Sequence, residues 1–141
     1  MPMVGPLKLK AQLLCGDELA MGPGKADLLD AIQAEGSISG AGRRLGMSYR
    51  RTWLLVDAMN RCWSEPLVEA TPGGGEHRGA RVTAAGHEVL AAYRALEAAV
   101  AEAAEGPLQA LKPRLLEEPK VSQHGPSPED PPRPNPSRPR A

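Results

Sequence analysis

No stretch of this sequence approaches the roughly 18 consecutive apolar residues of a membrane-spanning helix. Its opening, Met-Pro-Met-Val-Gly-Pro, has neither the basic nor the apolar region of a signal peptide, so the expected compartment is the cytoplasm. Cysteine is scarce: Cys15 and Cys62 stand far apart without metal-ligand spacing, and reduced, partly buried thiols are the default. His77, His87 and His124 are scattered, so no metal constellation is visible and neither metal nor cofactor is expected. Net charge is absent as well, with 17 basic residues against 17 acidic ones. That average does not exclude a polyanionic partner, because it can hide a concentrated patch. One such patch exists: over 36–56 there is no Asp or Glu, while Arg43, Arg44, Arg50 and Arg51 give a local +4.

The same stretch carries the clearest structural pattern. Ser37 can cap a short helix by accepting from an orphan backbone N–H. Ile38, Ala41 and Leu45 fall at i, i+3 and i+7, one apolar face. Gly40, Ala41 and Gly42 are small enough for two helices to cross closely. Gly46 then sits where a left-handed residue would end the helix. Ser48 can cap a second helix whose first turn is Tyr49, Arg50 and Arg51. This is the layout of a helix-turn-helix, whose second helix enters the DNA major groove.

The position of the arginines separates two readings. Cations at a helix N-terminus oppose the macrodipole by about 0.3–1 kcal/mol each. A facing polyanion would turn that cost into affinity. The alternative is a solvated basic face on an ordinary helical pair.

Around this core the chain reads as a series of short elements. Residues 7–14 alternate imperfectly and predict a strand with Leu7, Leu9 and Leu13 inward. Pro23 suits the first position of a helix, with Asp27 in its first turn. Leu28, Leu29, Ala31 and Ile32 form that helix's buried stripe, and Glu35-Gly36 its end. The second helix of the pair runs to about Cys62, with Trp53, Val56 and Met59 packing inward. Two short strands, 67–71 and 80–83, flank a glycine-rich loop over 72–79. Three helices and a two-stranded hairpin make a mainly α domain, a winged helix-turn-helix.

Thr83 can cap a longer helix over about 84–105, on the order of 30 Å, stopped by Gly106-Pro107. Val89, Tyr93, Leu96, Val100 and Ala103 are spaced 4-3-4-3, a heptad seam suited to pairing with a second copy. Ten of the 15 prolines lie from Pro107 onward, so 1–106 reads as the domain and 107–141 as a proline-rich tail, disordered from Pro119.

Enzyme motifs fail on inspection. Gly22-Pro23-Gly24-Lys25 resembles part of a phosphate loop, but Ala26 replaces the Ser/Thr that would hold magnesium. Gly73-Gly74-Gly75 lacks a third spaced glycine and a following helix. The carboxylate pairs Glu117-Glu118 and Glu129-Asp130 lie in the tail, where no pocket can tune them. No enzymatic activity is expected.

The order of signals from Leu7 to about Ala104 resembles the DNA-binding half of the ModE family of molybdate-responsive bacterial regulators, grouped with LysR-type winged helix-turn-helix domains. The matching residues are Leu7-Lys8-Leu9-Lys10, Gly36-Ser37-Ile38-Ser39 and Gly46-Met47-Ser48-Tyr49-Arg50 followed by Trp53. Met59-Asn60, Leu67-Val68-Glu69, the glycines 73–75 and Thr83-x-x-Gly86 continue the match. The resemblance implies that Ser48, Tyr49, Arg50 and Arg51 meet bases or phosphates in the major groove. It implies Arg43 and Arg44 on flanking phosphates, and Arg78 and Arg81 as wing contacts to backbone or minor groove. Trp53, whose spacing puts it on one face with Val56 and Met59, is expected in the core rather than on DNA. Val89, Tyr93, Leu96 and Val100 would join two copies over a pseudo-palindromic operator with half-sites roughly 34 Å apart or a multiple of it. Family members also carry a C-terminal pair of molybdate-binding β-barrel modules, for which 107–141 has no strand pattern. The expectation is therefore a homodimeric, DNA-binding transcriptional regulator linked to molybdenum that does not itself bind molybdate. Three outcomes stay open for regulation: constitutive binding, effector response through a protein partner, or loss of the molybdenum connection. The competing reading is a winged-helix protein-interaction module that binds no DNA.

Overall fold

The protein's structure, a computed structural model, describes residues 2–71 and 79–122. Two glycines in the left-handed region shape its start, Gly5 at φ 56° and Gly16 at φ 60°. Each lets the chain reverse on itself at little steric cost. Strand β1 (Met3–Val4) pairs antiparallel with β2 (Leu7–Lys8), and β3 (Leu13–Cys15) with β4 (Glu18–Met21). The single strand expected over 7–14 is thus two separate strand segments in different hairpins. Leu13 is exposed rather than inward. The Leu-Lys alternation carried no information about the two turns, which depend on backbone conformation at glycine.

Helix α1 (Pro23–Glu35) opens with Pro23 in its first turn and closes at Gly36, φ 71°, whose N–H donates to the Ile32 carbonyl at 2.8 Å. Leu28, Leu29, Ala31 and Ile32 are buried, as their spacing predicted. Asp27 lies beyond the first turn and pairs with Arg94. Helices α2 (Ile38–Arg44) and α3 (Tyr49–Cys62) follow, with α1 packed on α2 and α2 on α3. Strands β5 (Val68–Thr71) and β6 (Gly79–Val82) form the wing in antiparallel register, Val68 opposite Val82 and Thr71 opposite Gly79. The Ala80 N–H donates to the Gly36 carbonyl at 2.9 Å, which ties the wing to the end of α1.

The α3–wing joint rests on one side chain. Asn60 donates to the Val68 carbonyl at 3.0 Å and accepts from the N–H groups of Leu67 at 2.9 Å and Val68 at 3.1 Å. Gly86 of the next helix closes over this joint; a Cβ there would lie 2.3 Å from the Leu67 carbonyl oxygen.

Helix α4 (Ala84–Leu111) starts at Thr83, whose hydroxyl accepts from the Gly86 N–H at 3.0 Å. It does not stop at Gly106-Pro107. It continues through Pro107 to Leu111 and a 3-10 turn, Lys112–Arg114. Leu108 is buried, and with Leu111 and Leu115 it lines a cleft against Pro6 and Leu7. That tertiary contact outweighs the lost amide hydrogen bond at Pro107. Leu108 therefore packs with the domain, on the far side of the expected 106/107 boundary.

Arg94 clamps α4 onto α1. It donates to Asp27 at 3.0 Å, Asp30 at 2.9 Å and Glu97 at 2.9 Å. Burial works against its charge, but the hydrogen bonds it donates to these carboxylates hold its pKa above the ordinary value.

Candidate nucleic-acid interface

The α2–α3 turn is built as a helix-turn-helix requires. The Ser37 hydroxyl accepts from the Gly40 N–H at 3.0 Å and starts α2. Leu45 ends it, with Gly46 next at φ 69°. The Gly46 N–H donates to the Arg43 carbonyl at 3.2 Å and the Met47 N–H to the Gly42 carbonyl at 2.8 Å, a Schellman closure. Ser48 caps α3 by accepting from the Arg51 N–H at 3.1 Å. Leu45, expected on the buried face, is exposed at this end of the helix.

The crossing itself depends on Gly42. A Cβ there would stand 2.4 Å from the Thr52 hydroxyl oxygen. Thr52 is fully buried, and its hydroxyl donates to the Ser48 carbonyl at 2.8 Å. Thr52, Val56 and Met59 form the inward stripe of α3.

Trp53 is therefore displaced from its expected place in the core. It is 42% exposed and sits edge-on to Tyr49, which is 61% exposed, with ring centroids 6.1 Å apart. One position from Thr52 is about 100° around a helix, enough to turn the indole outward. The i, i+4 spacing of Tyr49 and Trp53 was the available signal for this pair. With exposed Leu54, Arg50 and Arg51 they form the outer face of α3.

The other basic residues divide. Arg43 is exposed at the end of α2. Arg44 donates to Glu35 at 3.1 Å, and Arg81 of the wing pairs with Glu69. Both pairs are solvent-exposed and weak enough to exchange for a phosphate. Arg78 lies outside the described residues, as do the glycines 73–75 and His77 and His124.

The proposed pairing seam changes more. Tyr93 is buried in its own domain, where its hydroxyl donates to the Ala11 carbonyl at 2.7 Å. Burial raises its pKa first, with Glu97 adding to the shift. Gly86, Leu90, Tyr93, Glu97 and Leu108 form the face of α4 turned to the domain. Val89 is half-buried, whereas Leu96 and Val100 are each 39% exposed on the neighbouring face. An alanine-rich helix offers several faces of similar hydropathy, so its periodicity alone did not tell them apart.

Among the described residues, no group of three His, Cys, Asp or Glu side chains is arranged to hold a metal, and no helix is long and apolar enough to cross a membrane. The fold does bring Cys15 and Cys62 together, contrary to their separation in sequence. Burial, then the Cys15 thiol beside it, push the Cys62 thiol up.

Comparison with known proteins agrees with this arrangement. The molybdenum-pterin-binding protein MopB of Rhodobacter capsulatus is 48% identical over 82 residues, 58% of this chain and 30% of that protein. The molybdenum transport protein ModE of Azotobacter vinelandii is 43% identical over 70 residues, covering 50% and 26%. The domain is ModE-like. The DNA-binding transcriptional dual regulator ModE of Escherichia coli K12 matches at 33% identity over 87 residues, 62% of this chain and 32% of that one. The chain thus spans about a third or less of the length of these ModE and Mop relatives. No family model matches the chain.

Proposed function

We propose that this ModE-like domain is a sequence-specific double-stranded-DNA-binding transcriptional regulator, not an enzyme, acting in the cytoplasm on genes of molybdenum uptake or molybdenum enzymes. Its reading head is the outer face of α3. Tyr49, Arg50 and Arg51 enter the major groove behind the Ser48 cap, and Trp53, unlike its sequence-based placement, joins them. Arg43 and Arg44 bind flanking phosphates, and Arg78 and Arg81 carry the wing's contacts.

The observation that carries this reading is the acid-free basic surface of 36–56 on a capped helix pair whose crossing is fixed by Gly42 and Thr52. The Escherichia coli relative, a DNA-binding transcriptional dual regulator, points the same way. The active species is a homodimer joined along α4 through Leu96, Val100 and Val89, without Tyr93. Supporting it, Leu13, Trp63, Val89, Ala92 and Leu96 line an apolar groove of about 310 Å³ beside that face.

The test is Arg50→Ala with Arg51→Ala in one chain. Duplex binding should weaken sharply, and its log–log salt slope should fall by about 1 for each of the two arginines that meets a phosphate in the groove. Thermal stability should stay nearly unchanged, because neither side chain is in an ion pair among the described residues. Unaltered duplex binding by the double variant would refute this surface. No salt-dependent duplex binding by the parent would favour the protein-interaction module.

A further inference from the structure

The segment Gly22-Pro23-Gly24-Lys25 fails as a phosphate loop, yet the fold gives it a different setting. It forms the start of α1 and one wall of a cleft of about 380 Å³. Arg51 and Leu55 of α3 form another wall, and Lys10 with Gln12 a third. Gly22 supplies no side-chain cap, Pro23 has no N–H, and the Gly24 and Lys25 N–H groups have no intrahelical acceptor. A Cβ at Gly24 would meet nothing within 4 Å, so this flank of the helix start is open.

Lys25 is the unusual member. It is only 6% exposed, and among the described residues no carboxylate pairs with it. An ammonium on so little exposed a residue, without a carboxylate partner, carries a desolvation cost that an arriving anion offsets. Burial lowers the pKa of Lys25 and the Arg51 guanidinium lowers it further, while Cys62 and Glu18 act in the opposite direction. The one acid in the lining, Asp27, is held by Arg94 at 3.0 Å.

We propose that this cleft is a binding site for a phosphate group, held by Lys25, Arg51, Lys10 and the first N–H groups of α1. Three cations from separate parts of the chain line the cleft beside a helix N-terminus, which suits a dianion with oxygens in several directions better than a planar carboxylate. The phosphate is either a free oxyanion or a phosphodiester of bound duplex. The site itself does not rest on the DNA reading, which only decides between these sources.

Inorganic phosphate titrated into the protein alone, at fixed ionic strength, should shift the Gly24 and Lys25 amide resonances saturably. Lys25→Met should abolish those shifts and raise the melting temperature, because it removes a buried charge and keeps the apolar stem. Lys10→Gln, at the exposed rim, should weaken phosphate several-fold without affecting folding. A parent protein without saturable shifts overturns the site, as does a folded Lys25→Met variant that binds phosphate like the parent. If the source is a phosphodiester, Lys25→Met lowers the salt slope of duplex binding by about 1. If it is a free oxyanion, duplex binding survives Lys25→Met unchanged. Phosphate shifts in a protein that binds no duplex would overturn the DNA reading and leave the site standing.

Discussion

Gly42→Ala should loosen the α2–α3 crossing, and Thr52→Ala should partly repair it. The new methyl would lie 2.4 Å from the Thr52 hydroxyl oxygen and 3.3 Å from its Cβ. Thr52 cannot swing aside freely, because it is fully buried and its hydroxyl donates to the Ser48 carbonyl at 2.8 Å. Relief must come from a shift of α2 against α3, an overpacking cost of about 1–3 kcal/mol. Alanine's better helix propensity returns about 1 kcal/mol, leaving a net loss of about 0–2 kcal/mol. Thr52→Ala alone loses a hydrogen bond and a buried methyl, about 1–2 kcal/mol. In the double variant the offending oxygen is gone, so the two losses should add to about 1 kcal/mol less than their sum. Urea denaturation of the four proteins reads this directly, with an unchanged m-value as the check on two-state behaviour. Additivity within about 0.3–0.5 kcal/mol would refute the argument that this contact sets the crossing.

Other consequences concern the rest of the scaffold. Asn60→Ala leaves the Leu67 and Val68 N–H groups without their partner and should destabilise the domain by about 2–4 kcal/mol in the same assay. Arg94→Met leaves Asp27, Asp30 and buried Glu97 uncompensated. Because the Arg94 side chain is itself 37% exposed, solvent screening limits the expected loss to about 1–2 kcal/mol. Near neutral pH, iodoacetamide should label exposed Cys15 before Cys62, whose thiol is held up by burial and by Cys15. Raising the pH should narrow the difference, and mass spectrometry of the labelled peptides measures it.

The helix-turn-helix was legible because its signals are local. Ser37, Ser48 and Thr83 cap the residues three positions ahead, and Gly36 and Gly46 take left-handed conformations that few other residues adopt. Tertiary features were not legible. Trp53 and Thr52 are neighbours in sequence, and only the close approach of Gly42 decides which one faces inward. Helix α4 passes Gly106-Pro107 because Leu108 finds Pro6 and Leu7, roughly a hundred positions earlier. Tyr93 looked available for pairing until Ala11 supplied its acceptor. Lys25 lies in a segment that in sequence resembles only part of a phosphate loop. Its partner residues at positions 10 and 51 come together only in the fold.

The central claim is that α3 reads DNA in a two-fold assembly. Selection from a random duplex pool, with folded protein at moderate salt, tests it most directly. The account predicts enrichment of a motif with two-fold symmetry and half-sites about one helical turn, or a multiple of it, apart. A pool that gains no sequence preference after repeated rounds would contradict it.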